Sequence, residues 1–201
     1  MNKRSVFNTR VIVGLGLLTA IVVILQMIGA SIKLGTFSVS LVLLPIVIGA
    51  ALYGYGAGAW LGLIFGIVVL LSGDASFFLT VNPFGTIVTV ILKGVLAGVC
   101  AGLVYKMLAK KCHPYLSALA AAFVCPVVNT GIFLLGCRVF FFETIKELAA
   151  GAGFGSNAVA YMFIGLVGLN FFFELGVNIL LCPAIVTLVR IGEKSIAKKE
   201  N

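Results

Sequence analysis

Apolar residues gather into six long runs, over 11–30, 41–53, 57–72, 86–108, 115–142 and 158–191, and most polar residues fall in the breaks between them. A helix crossing a bilayer core needs about 20 mostly apolar residues. The pattern therefore predicts an all-α membrane protein of six transmembrane helices, built as a single integral membrane domain over 1–201. The second run is short and holds Pro45 and Gly49, so a kinked or tilted helix borrowing its flanks is expected. A tight YGYGAG turn at 53–58 joins it to the third run. The breaks at 31–40, 73–85, 109–114 and 143–157 read as loops.

Composition agrees with this reading. Hydrophobic residues make up 62% and charged residues 10%, against about 25% charged in soluble domains. A water-facing surface cannot be built from such a chain. The net charge of +8 does not point to nucleic acid, because no basic folded face goes with it. It reports topology instead. Lys3, Arg4, Arg10, Lys106, Lys110, Lys111, Arg190, Lys194, Lys198 and Lys199 are ten of the fourteen basic residues, and six crossings put all ten on one side. By the positive-inside rule that side is the cytoplasm. Both termini are then cytoplasmic, and the loops at 31–40, 73–85 and 143–157 face outward. Four or five crossings would split the basic clusters between the two sides. A bacterial cell membrane is the expected location. The first run follows basic residues as a signal peptide does, but it is long and lacks a clear small-residue cleavage site, so it reads as a retained helix. Cys100, Cys112, Cys125, Cys137 and Cys182 form no CxxC pair and read as reduced structural thiols.

Glycine recurs every fourth residue at Gly54, Gly58, Gly62 and Gly66, and again at Gly94, Gly98 and Gly102. Such a ladder leaves a flat groove on one helix face, which another helix backbone can approach closely. Packing within the chain is the favoured use, and docking of a partner the other. Gly16 and Ala20 form a separate small pair near the cytoplasmic end of the first run, suited to contact with another membrane subunit.

Polar residues kept inside apolar runs need a reason. Lys93, Asn129, Arg138, Asn170, Glu174 and Asn178 are such residues, and Asn170, Glu174 and Asn178 share one helix stripe by their four-residue spacing. Gln26 lies toward the outer end of the first run. In depth the set favours the outer half, and the cytoplasmic halves are almost wholly apolar. One reading is a Lys93–Glu174 ion pair with asparagines satisfying backbone groups; the other is a polar cavity that opens outward and binds a small solute. No continuous polar pathway is evident, which argues against a channel or a self-contained transporter. The break at 73–85 supplies Asp74, Asn82, Phe77, Phe78 and Phe84 as a lid or wall, or as an interfacial aromatic belt. His113 is the single histidine and sits in the basic loop, so no histidine-based metal site or catalytic triad is expected. GxxxxGK[ST] does not occur, so ATP hydrolysis would fall to other chains, and no catalytic residue, metal or cofactor is assigned.

Three stretches carry a resemblance. LVLLPIVIGAALYGYGAGAWLGLIFGIVVLLSGD, NPFGTIVTVILKGVLAGVCAGLVYKML and FFFELGVNILLCPAIV are similar to segments of the substrate-binding S components of energy-coupling factor (ECF) vitamin transporters. The resemblance implies capture of a vitamin from outside, with a transmembrane coupling protein and two cytoplasmic ATPases supplying energy, and a subunit that topples in the membrane to carry its pocket inward. It places Gly16 and Ala20 at the first-helix motif that touches the coupling protein, where the family usually has alanine at both positions. The pocket residues expected are Asn82, Lys93, Asn129, Arg138, Asn170, Glu174 and Asn178. Lys93 and Arg138 suit a carboxylate or phosphate-like group; riboflavin is favoured slightly for the aromatics at 77–84, then pantothenate. A membrane scaffold without a solute and a stand-alone small permease are the rival readings.

Overall fold

The two glycine ladders close on each other and set the centre of the molecule. The computed structural model describes residues 9–31, 33–34, 37–38 and 41–197. In it, helix α3 (Tyr55–Leu71) lies along α5 (Pro83–Ala109). A methyl group on Gly58 would collide with the carbonyl of Gly98, and one on Gly62 with the carbonyl of Gly94. One on Gly66 would stand 3.0 Å from the Val90 carbonyl, and one on Gly102 would stand 2.7 Å from the Tyr55 Cα. Rising positions on α3 meet falling positions on α5, so the helices run antiparallel in backbone contact. The ladders thus serve packing within the chain. Gly54 is the exception: its φ of 90° and open surroundings make it the turn between α2 (Leu43–Tyr53) and α3, a conformation that side chains disfavour.

The other helices build outward from this pair. Helix α6 (Pro114–Phe140) covers another face of α5, and α2 packs against α3, α5 and α6. Both α5 and α6 open on proline, whose missing N–H costs nothing at a first helical position. Asn82 caps α5, its Oδ1 accepting from the Gly85 N–H at 2.9 Å, and His113 Nδ1 accepts from the Tyr115 N–H at 3.3 Å. Helix α1 (Thr9–Ser31) packs on α3 and α2; the Trp60 indole donates to Thr19 Oγ1 at 3.1 Å across that contact. Gly14 of α1 leaves room for the Tyr53 side chain, while Gly16 and Ala20 face away from the bundle, exposed beside Leu17 and Ile24.

Several breaks are more ordered than loops. Residues Lys33–Leu34 and Phe37–Ser38 pair as a two-residue antiparallel ladder, β1 and β2. Within 73–85 a short helix, α4 (Ser76–Val81), precedes the Asn82 cap. The segment expected as a mixed loop at 143–157 is largely helical: α7 (Phe142–Gly151) buries Ile145 and Ala149 and pairs Lys146 with Glu143 at 2.8 Å on its exposed side. Its charges hid an amphipathic period. The run at 158–191 is not one helix. It divides into α8 (Ala158–Ala160), a π-helical turn (Tyr161–Leu166), α9 (Gly168–Leu180) and α10 (Cys182–Ala197), with a bend of 42° between residues 158–166 and 170–180. α9 packs on α6, and α10 on α2 and α6.

By length and composition, three helices among the described residues can cross a bilayer alone: Val11–Ser31, Pro83–Ala109 and Pro114–Phe140; the bent pair makes a fourth. Helix α2, of 11 residues, is shorter than a full crossing, and α3, of 17, is at the lower limit of one. The chain is a multi-pass membrane protein. Lys3, Arg4, Lys198 and Lys199, which carry part of the charge argument for cytoplasmic termini, lie outside the described residues.

Candidate functional site

Polar side chains that would be costly in hydrocarbon converge on one hollow. It measures about 70 Å³ and lies among the N-terminal part of α5, the C-terminal parts of α3 and α6, the 74–78 segment and the start of α9. All of these sit at the end of the bundle away from the 110–113 turn. Ala97, Ala101 and Tyr105 of α5, Ala118 and Cys125 of α6, and Ile185 and Val189 of α10 fill the other end as a buried apolar cluster.

Lys93, Asn129, Asn170 and Glu174 line the hollow together, with Asp74 from the segment before α4. The Lys93 ammonium lies 5.4 Å from the centre of the Phe65 ring and 5.5 Å from that of Phe133, held between α3 and α6 by cation–π attraction. Glu174 and Asp74 are the opposite charges that share the hollow with it. Glu174 and Asn129 are each 5% exposed. Pro126, inside α6, removes one N–H from that helix a turn before Asn129. The Asn129 Oδ1 is buried with no hydrogen-bond partner among the described residues, as is Thr89 Oγ1. Buried oxygens of this kind are normally satisfied, so the hollow holds unused hydrogen-bonding capacity. Asp74 is fixed from outside the lining: the fully buried Gln26 of α1 donates from Nε2 to Asp74 Oδ2 at 3.4 Å.

Three expected residues lie apart from this lining. Asn82 is spent on capping α5. Arg138 is exposed near the end of α6, its guanidinium 3.9 Å from the centre of the Phe142 ring. Asn178 is buried one turn beyond Glu174 and donates from Nδ2 to the Glu174 main-chain carbonyl at 2.8 Å. Of the aromatics in the 73–85 segment, Phe78 forms part of the wall and meets Phe141 edge-on at 5.0 Å, whereas Phe77 and Phe84 are exposed.

The hollow also uses residues not singled out from the sequence. Thr86 and Thr89 are buried and lie three residues apart, with Lys93 four further on, so they form one stripe of α5. That spacing was the available signal. Gly136 of α6 admits the Thr89 side chain, since a methyl group there would collide with it. Phe133, Phe141 and Phe171 complete an aromatic wall; Leu166 enters from the end of the π-helical turn and Val167 from just after it, a distortion that recurs at functional sites.

No curated protein and no solved structure matches the chain. The family model described as "ECF transporter, substrate-specific component" matches residues 10–186. A polar hollow set in a multi-pass apolar bundle accords with that description, and the chain belongs to the family of ECF transporter substrate-specific components.

Proposed function

We propose that this protein captures a vitamin or related small organic solute in the hollow around Lys93 and Glu174, open to the outside of the cell, and hands it on for ATP-driven import. Membership of the family implies a small-molecule substrate, a membrane coupling protein and ATPases; such components bind substrate and are not enzymes. The observation that carries the reading is the convergence of Asp74, Lys93 and Glu174 on one hollow in a chain with 10% charged residues. Its place away from the basic 110–113 turn supports an outward-facing site, and with it six crossings and cytoplasmic termini. The coupling protein would dock on the exposed small face of α1 at Gly16 and Ala20, where another helix backbone can come close. Among vitamins, the riboflavin preference now rests on the wall that holds Phe78, Phe133 and Phe141.

Two measurements test the reading. Purified protein is expected to retain a small molecule detectable by mass spectrometry. Gly16→Leu with Ala20→Leu is expected to abolish uptake in cells that supply the coupling protein and ATPases, with solute binding by the purified variant unchanged. Uptake without those partners would favour a stand-alone permease, and no binding at all would favour a scaffold.

A further inference from the structure

Helix α1 gives no residue to the lining of the hollow among the described residues, yet one of its side chains reaches that lining from behind. Gln26 is fully buried on a stripe with Val22 and Gly29, while Ile24, Met27 and Ile28 beside it are exposed. The helix is thus turned with its amide toward the bundle. Gln26 Nε2 donates to Asp74 Oδ2 at 3.4 Å, across 48 residues of chain. Gln26 Oε1 is buried with no hydrogen-bond partner among the described residues. An amide inside an apolar bundle costs free energy at each unused end. A glutamine kept there with its acceptor idle is kept for its donor.

The acceptor it serves needs support. Lys93 and Glu174 ride on helices, but Asp74 stands in the turn at 72–75, directly after Gly73 at a φ of 79°. A turn leaves a side chain's direction less defined than a helix does, and a fixed donor behind it restores that definition. A carboxylate also accepts such a bond more strongly than a neutral oxygen. Seating of α1 does not depend on this bond alone: the Trp60 indole donates to Thr19 Oγ1, and Gly14 leaves room for the Tyr53 side chain. We infer that Gln26 is a positioning residue for the solute site, aiming the Asp74 carboxylate into the hollow, so that α1 sets solute affinity without touching solute. This rests on the reading of the hollow as the solute site.

The test uses the full chain in lipid nanodiscs, equilibrated with equimolar riboflavin, thiamine, pantothenate, biotin and nicotinate. The compound that the wild-type protein retains after washing, identified by mass spectrometry, is the probe for affinity. Gln26→Met keeps the length of the side chain and removes the amide. It is expected to weaken probe binding about fivefold, and in an Asp74→Asn background by no more than about twofold, because a neutral acceptor makes the weaker bond. Gln26→Asn, one methylene short of Asp74, is expected to weaken binding as Gln26→Met does. Trp60 is the single tryptophan, and its emission reports whether α1 is seated; it is expected to be unchanged in both Gln26 variants. Unchanged affinity, an equal loss in the two backgrounds, or a shifted Trp60 emission overturns the inference and leaves the solute-site reading standing. So does failure of both Gln26 variants to fold, since the glutamine would then be holding the bundle together. Retention of none of the compounds by wild-type protein that elutes as a single folded species overturns the solute-site reading, and this inference with it.

Discussion

Two polar residues of the same apparent kind have different roles, and single substitutions separate them. Asn82 precedes Pro83 and satisfies a main-chain donor of α5. Asn82→Ala is expected to cost about 1 kcal/mol of stability, the usual value of a helix cap, and to leave solute affinity unchanged; thermal unfolding beside a binding titration checks this. Lys93 is the cation opposite two carboxylates. Lys93→Met removes that cation from both. The expected loss is about 2 kcal/mol, below the roughly 3–5 kcal/mol for breaking a fully buried pair, because Lys93 is half-buried. Adding Glu174→Gln should restore part of the loss, and a double variant no more stable than Lys93→Met alone would count against the coupling. Legibility at this scale follows from chain position. Lys93 and Glu174 stood out because charge deep in an apolar run is too costly to keep without a partner or a ligand. Arg138 looked equivalent, but a long side chain near a helix end can reach outward, and it lies on Phe142 instead. Thr86 and Thr89 were silent because a threonine can satisfy its hydroxyl on its own helix, as Thr86 does by donating to the Asn82 carbonyl at 2.8 Å.

At the scale of elements, the α3–α5 contact was the most legible feature, since glycine every fourth residue has few uses other than close backbone approach. Gly62→Leu places a side chain against the Gly94 carbonyl, and main chain cannot swing aside as a flexible side chain would. Overpacking of this kind costs typically about 1–3 kcal/mol. The expected outcome is a lower unfolding temperature or loss of monodisperse protein, whereas Gly56→Leu, with open space around its Cα, is expected to be tolerated. Less legible were α7 and the division of the last run. Helix α7 was obscured by Glu143, Lys146 and Glu147, which lie beside buried Ile145 and Ala149 rather than in a loop. The break near Leu166 is a matter of backbone register, which an unbroken apolar run does not record.

For the whole molecule, the side from which solute enters depends on which helix ends meet the cytoplasm. Cys112 is a native reporter in the basic turn between α5 and α6, partly exposed. In intact cells a membrane-impermeant maleimide is expected to leave it unlabelled until the membrane is permeabilised. Ser156→Cys in a Cys112→Ser background, on the exposed stretch between α7 and α8, is expected to label without permeabilisation. Labelling in the opposite order would invert the topology and turn the hollow inward.

The backbone contact between α3 and α5 has one more consequence. A junction made of glycine and carbonyl oxygen has no rotamers to exchange, so neither helix can make room for the other by moving a side chain. This pair is therefore expected to hold its register as a keel that carries Lys93, so any movement on solute entry or partner docking should fall to the pieces around it, α1, the short α4 segment and the bent chain from Tyr161 onward.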